Sequence, residues 1–167
     1  MAFTVGEKVV YPNQGIGVVE SIKPRGTPDG QLDGYELRMQ SNESKVWIPV
    51  GAAAEIGVRS IIGSGDADKV IDTLTDGQVE VQNNWKGRFQ ENSDRMRTGS
   101  VFAVAEVLKG LNCLSRRKAL SFREKRMLER ARFLVVSEVA EACGQSEASV
   151  EERVDSALKR SEEAEAP

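Results

Sequence analysis

The sequence predicts an α+β chain in parts: a small SH3- or Tudor-like β-barrel over residues 1–62, an all-α helical domain over 63–160, and an acidic, disordered tail over 161–167. Three observations point there. Up to residue 62, short alternating apolar runs are broken every few residues by glycine and proline. Beyond it, apolar residues recur at helical spacing. Aromatic content is only 5%, which suits aliphatic, helix-rich packing in a chain otherwise ordinary at 40% hydrophobic and 29% charged. A length of 167 residues fits one domain or two small ones, and the change of period favours two.

In the first part, Phe3 to Pro12 alternates, then runs apolar into a proline turn, and Gly15 to Ile22 reads as the second strand of a hairpin. Arg25 to Gly34, with Gly26, Pro28, Asp29, Gly30 and Gly34, reads as a loop. Tyr35 to Met39 alternates, Ser41 to Ser44 turns the chain, and Lys45 to Val50 is a short strand closed by Pro49. Four or five short strands in about 50 residues suit a strongly bent barrel. The Gly15-Ile16-Gly17 pair is no dinucleotide fingerprint, because Glu20 stands where a third glycine is needed and a strand follows.

In the second part, Asp66 is expected to cap a helix carrying Val70, Ile71 and Leu74, and Thr75 to Asn84 is a polar connection leading to Trp85. Lys86 to Arg97 is the next helix, with Phe89 and Met96 inward; Gly99-Ser100 is a stop and a cap. Val101, Val104, Ala105, Leu108 and Leu111 form a stripe, after which Leu114 to Leu120 turns the chain. Ser121-Phe122-Arg123-Glu124 is a capping box ahead of Met127, Leu128, Ala131, Leu134, Val135 and Val139. Ser146 opens a last helix with Val150, Val154, Ala157 and Leu158.

Several function classes are disfavoured at once. The chain has no histidine, which removes His-based triads and the commonest metal ligand, so neither an enzyme nor a metal or cofactor site is expected. Cys113 and Cys143 lack ligand spacing and read as reduced core thiols. No apolar run reaches the roughly 20 residues of a membrane span, and the first seven residues lack the basic start and apolar centre of a signal peptide. A cytoplasmic location, with no membrane partner and no small-molecule ligand, is the expectation.

Charge is distributed in blocks. The net charge is −3, yet residues 109–132 carry nine cations against Glu124 and Glu129, while residues 133–167 carry nine anions against three cations. Screening confines charge effects to roughly 10 Å at ordinary salt, so the basic block can hold phosphates whatever the net charge. A solvated helix surface accounts for the block equally simply. Trp85 is the sharper clue: it lies in a polar stretch with Lys86 and Arg88 beside it. Such an indole is either the anchor of a packed loop or a surface wedge facing an anionic partner such as DNA.

The pattern Phe3-x-Val5-Gly6-x-x-Val9-Val10-Tyr11-Pro12-x-x-Gly15-x-Gly17 resembles the CarD and CdnL family of bacterial RNA polymerase-binding transcription regulators. Trp47-Ile48-Pro49-Val50, Gly57-Val58-Arg59, Asn84-Trp85, Ala105-Glu106-Val107 and the block from Leu120 to Arg132 extend the resemblance over residues 1–142. Transcription-repair coupling factors share a similar first module, but the phosphate-binding Gly-x-x-x-x-Gly-Lys-Ser/Thr loop of their motor is absent from this sequence.

The resemblance implies that the barrel docks on the polymerase β subunit through the strand with Lys45, Val46, Trp47 and Ile48, with Arg25 nearby. It also implies that the helical domain reaches promoter DNA at the upstream edge of the melted bubble, associating the protein with the nucleoid through the polymerase. Trp85 would be the wedge there, with Lys86, Arg88, Lys125 and Arg126 at phosphates. Two departures stand out. Actinobacterial members carry arginine where this chain has Trp47, which would replace a salt-bridged contact by an apolar or cation–π one. Basic residues that follow the wedge in those members are Gly87 and Gln90 here, which weakens the phosphate grip. For Trp47 a core position rivals the docking one, and the alternative function is a protein–protein adaptor that never touches DNA.

Overall fold

The computed structural model describes residues 2–76 and 84–165. The chain forms two compact units, Met1–Ile61 and Ile62–Pro167. The first is an antiparallel five-stranded sheet in the order β4-β3-β2-β1-β5, and the second is helical.

In the first unit, β1 (Lys8–Tyr11) pairs with β2 (Gly15–Thr27), and β2 pairs with β3 (Gly30–Met39). A bulge between Val19 and Ser21 bends β2, so the sheet coils around its own core. β4 (Lys45–Pro49) lies on one edge against β3, and β5 (Arg59–Ser60) on the other against β1. A short helix α1 (Ala53–Ile56) joins β4 to β5. Val9, Val19, Tyr35, Leu37, Met39 and Ile48 are buried in the core with Phe3. Phe3 meets Tyr35 edge-on at 5.4 Å and its N–H donates to the Tyr35 hydroxyl at 3.0 Å, tying the start of the chain to the sheet.

The loop expected over 25–34 is instead the distal half of a long hairpin. Register runs unbroken from Lys23↔Gly34 to Thr27↔Gly30. Backbone pairing needs no apolar side chains, so the polar sequence hid the ladder. Gly30, at φ +120, supplies the turn, and the Thr27 hydroxyl donates to the Gly30 carbonyl at 2.7 Å. Pro24 is tolerated because β1 ends short of it, leaving that side of β2 without a partner strand to receive an N–H.

The second unit packs α2 (Ser64–Thr75), α4 (Val101–Arg117), α5 (Phe122–Cys143) and α6 (Glu147–Glu165) around one aliphatic core. α3 (Trp85–Arg97) lies on α4. Val70, Leu74, Leu108, Leu111, Val135, Val139 and Val154 are fully or almost fully buried. Each such side chain contributes about 1.5–3 kcal/mol of transfer free energy, which holds together helices of modest intrinsic propensity. Ser100 caps α4 by accepting from the Ala103 N–H, and Gly144, at φ +63, ends α5 in the left-handed conformation that a side chain would strain.

Three boundaries differ from expectation. α2 begins at Ser64 after an N-cap at Gly63, and Asp66 lies inside the first turn, where its charge favours the dipole and pairs with Lys69. α4 continues to Arg117, because Cys113 and Leu114 extend its buried stripe. The tail expected from Ser161 is helical to Glu165. Ser161 is buried and its hydroxyl donates to the Asp76 carbonyl at 2.9 Å, while Glu162 takes a hydrogen bond from Asn112 and an ion pair from Arg116. Carboxylates that find partners on α4 lose the incentive to stay solvated. Most of the polar connection expected over Thr75 to Asn84, from residue 77 to 83, and residues 166–167 of the tail lie outside the described residues.

Candidate protein and nucleic-acid interfaces

In the first unit, the alternation of β3 and β4 decides where Trp47 stands. Tyr35↔Ile48 and Leu37↔Val46 face the core, so Glu36↔Trp47 and Arg38↔Lys45 face outward. Trp47 is therefore an outer-face residue, half buried because its ring lies flat on Gly34, where a Cβ would collide with it. Its Nε1 donates to the Lys23 carbonyl at 3.2 Å, and the Arg25 guanidinium stands 5.1 Å from the ring centroid. Around it Glu20, Glu36, Arg38 and Lys45 form a chain of surface ion pairs. Lys45, Val46, Trp47 and Ile48 thus share an edge strand; Lys45, Trp47 and Arg25 line its outer side, and Val46 and Ile48 turn inward.

In the second unit, the first turns of α3 and α5 are stitched together. Asn84 caps α3 by accepting from the Lys86 N–H, which puts Trp85 at the first helical position, 36% exposed. Four residues on, one helical turn, Phe89 stacks beneath the indole at 5.5 Å and 15°. Arg123 closes the column, 4.7 Å from the Phe89 centroid. The indole Nε1 donates to the Ser121 hydroxyl at 3.3 Å, and Ser121 caps α5 by accepting from the Glu124 N–H.

Arg88 was expected at phosphates, and the structure corrects this. It is 4% exposed, and its guanidinium donates to both oxygens of Glu124, itself 2% exposed, at 2.7 and 3.2 Å. Burial works against the Glu124 carboxylate, but Arg88 and the hydroxyl and N–H of Ser121 hold its pKa below the ordinary value. Arg88 clamps α3 to α5 from inside rather than facing a ligand.

Lys86, Lys125 and Arg126 are exposed, as are Lys118, Arg123 and Arg130. None of these six forms an ion pair among the described residues, and neither do Lys159 and Arg160 on α6, whereas several cations elsewhere do. Arg95 and Arg97 pair with Glu91 and Asp94, Arg116 with Glu162, and Arg132 with Glu151 and Asp155. Lys109, counted in the basic block, is buried beside Glu106. Five of these cations, Lys86, Lys118, Arg123, Lys125 and Arg126, lie at or next to the joined helix starts. Charge at that end of a helix opposes the dipole, by about 0.3–1 kcal/mol per exposed group, so stability does not explain the choice. Phe122, 73% exposed and 5.7 Å from Arg126, adds an apolar surface. Reading the sequence missed Ser121 as a partner of Trp85, Glu124 as a partner of Arg88, and the stack on Phe89. Only the last carried a local signal, the i,i+4 spacing of two aromatic rings.

No helix of the described residues is long and apolar enough to cross a membrane. The described residues also hold no cluster of three or more metal-ligating side chains.

Comparison with known proteins places both units. Residues 3–62 match the CarD-like/TRCF RID domain, and residues 69–155 match the CarD C-terminal domain. The Bacillus subtilis (strain 168) protein named "Putative transcription factor YdeB" is 28% identical over 137 residues, covering 82% of this chain and 90% of that protein. With both of its units matched in the same order, the chain belongs to the CarD/CdnL family of bacterial transcription regulators.

Proposed function

We propose that this regulator docks on the RNA polymerase β subunit through its edge strand β4 and stabilises the open promoter complex by wedging Trp85 at the upstream edge of the bubble. The observation that carries the reading is the indole: it stands partly exposed where two helix starts meet, beside cations that pair with no carboxylate among the described residues. Melting a promoter leaves a junction where duplex meets unpaired strands. An aromatic ring stacked on such a base step is worth about 1–3 kcal/mol, or roughly 5- to 150-fold in the closed-to-open equilibrium. No bond is made or broken by the protein.

Lys86, Lys125 and Arg126 supply phosphate contacts, while Arg88 acts from within by fixing α3 on α5. Phosphate contacts carry little sequence information and the minor groove offers a degenerate pattern, so selectivity among promoters is slight. Docking through the barrel raises the local concentration of the helical unit at the promoter, which lets weak DNA affinity suffice. The free edge of β4 is suited to strand addition or to lateral docking, with Trp47 and Arg25 as its outer contacts.

Trp85→Ala tests the reading. The variant keeps its fold, because the ring is not part of either core, and shortens open-complex lifetime on a bubble-forming promoter about 5-fold or more. An unchanged lifetime rejects the wedge. A polymerase pull-down that is insensitive to nuclease, together with no protection of upstream promoter DNA in a footprint, would instead favour an adaptor that binds proteins alone.

A further inference from the structure

Trp85 is held at its one polar handle by a residue 36 positions away. Its Nε1 donates to the Ser121 hydroxyl at 3.3 Å. That hydroxyl is already engaged, since it accepts from the Glu124 N–H at 3.2 Å as the cap of α5 and lies 3.3 Å from a Glu124 carboxylate oxygen to which it donates. Glu124 in turn holds Arg88 on α3, one turn from Trp85 itself. Ser121 therefore lies on a closed loop of contacts, from Trp85 to Ser121 to Glu124 to Arg88 and back along α3. With the handle bonded and one ring face on Phe89, little freedom is left to the indole.

An exposed tryptophan without such support samples several rotamers, and a partner must select one of them on binding. We propose that Ser121 is a positioning residue for Trp85, fixing the indole in the pose it presents to a base step before DNA arrives. This inference rests on the wedge reading of Trp85. A hydrogen bond of ordinary net strength biases the pose about 2- to 10-fold, and that bias passes directly into the stability of the junction complex. The competing role is capping alone, in which Ser121 merely starts α5.

The two roles separate by substitution. Glycine at an N-cap costs only a few tenths of a kcal/mol relative to serine, so Ser121→Gly keeps α5 and deletes the acceptor, whereas Ser121→Thr keeps both. In a Trp47→Phe chain Trp85 is the only indole, and its acrylamide quenching and fluorescence anisotropy report its freedom without any DNA. Ser121→Gly is expected to raise quenching and lower anisotropy, and to shorten the lifetime of the polymerase–promoter complex about 2- to 10-fold, with Ser121→Thr restoring all three.

On a Trp85→Phe background, which has no N–H to hold, Ser121→Gly is expected to change the lifetime no further. Unchanged quenching in Ser121→Gly overturns the proposal. So does an equal loss of lifetime on the Trp85→Phe background, which would mean that Ser121 acts through the helix start. Failure of the wedge reading looks different: Trp85→Ala would leave lifetime intact while Ser121→Gly still freed the indole.

Discussion

Replacing Glu124 by alanine is expected to destabilise the helical unit far more than an ion pair at a surface would suggest. Exposed pairs contribute about 0–1 kcal/mol, but this one is enclosed, with both partners almost without solvent and two hydrogen bonds at 2.7 and 3.2 Å. Deleting the carboxylate takes both of these hydrogen bonds from the buried Arg88 guanidinium, at a cost of about 3–5 kcal/mol. Half of the capping box goes with it, worth up to about 1 kcal/mol more. Against a typical domain stability of about 5–15 kcal/mol this is a large fraction, equivalent to roughly 12 °C or more in Tm for a unit of this size.

Urea unfolding followed by far-ultraviolet circular dichroism measures it. Removing both charges at once, as Arg88→Met with Glu124→Gln, should return most of the loss, because glutamine preserves the capping box and methionine fills the stem of the arginine. The pH dependence has a definite sign. The folded pKa of Glu124 lies below its ordinary value of 4.5, so its contribution is complete above that value and disappears as pH falls through the folded pKa. The parent chain should therefore lose stability on acidification below pH 4.5 more steeply than the neutral pair. A Glu124→Ala loss under about 1 kcal/mol would refute the whole argument, since it would mean that the Arg88 charge is satisfied without Glu124.

Lys125→Ala should weaken DNA binding at all sequences alike and lower the slope of log K against log salt by about one. The Arg88→Met, Glu124→Gln chain should leave that slope unchanged; a drop equal to that of Lys125→Ala would return Arg88 to the phosphates. Gly34→Ala places a Cβ against the Trp47 ring and should displace it from the outer face of β4, weakening binding to the polymerase β subunit about 5-fold or more while DNA affinity of the chain stays constant. Full retention of polymerase binding would remove Trp47 from the docking surface.

How far the sequence reveals these features depends on the range of the interaction behind each. Element type follows from local period, and the α5 capping box is a four-residue signal that its hydrogen bonds match. The 25–34 arm was hidden because a backbone ladder is indifferent to side chains that face water on both sides. The helical course of 161–165 was hidden because the partners of Ser161 and Glu162 lie far away, on Asp76, Asn112 and Arg116. Arg88 was misplaced for the same reason. Beside Trp85 in sequence it looks like one more surface cation, but Glu124, 36 residues on, draws it inward.

On the proposed reading, the arrangement of charge lets a chain of net charge −3 present a cationic surface to DNA. α6 supplies Glu151, Asp155 and Glu162, and these neutralise Arg132 and Arg116. α3 neutralises its own distal arginines through Glu91 and Asp94. Of the cations without an ion pair among the described residues, Lys86, Lys118, Arg123, Lys125 and Arg126 lie at the starts of α3 and α5 or in the segment leading into α5, where the one acid of the first α5 turn is buried and already bound to Arg88. Since screening limits each charge to about a Debye length, a phosphate at that end meets the local excess and little of the acidic surface. The acidic helix thus has a second consequence besides packing: it pairs Arg132 and Arg116, which the proposed DNA surface does not use. Reversing this, with Glu151→Gln and Asp155→Asn together, should free Arg132 and raise non-specific affinity for duplex DNA while leaving open-complex lifetime unchanged. A lifetime that rose in step with duplex affinity would show that charge alone, and not the placement of Trp85, sets the effect.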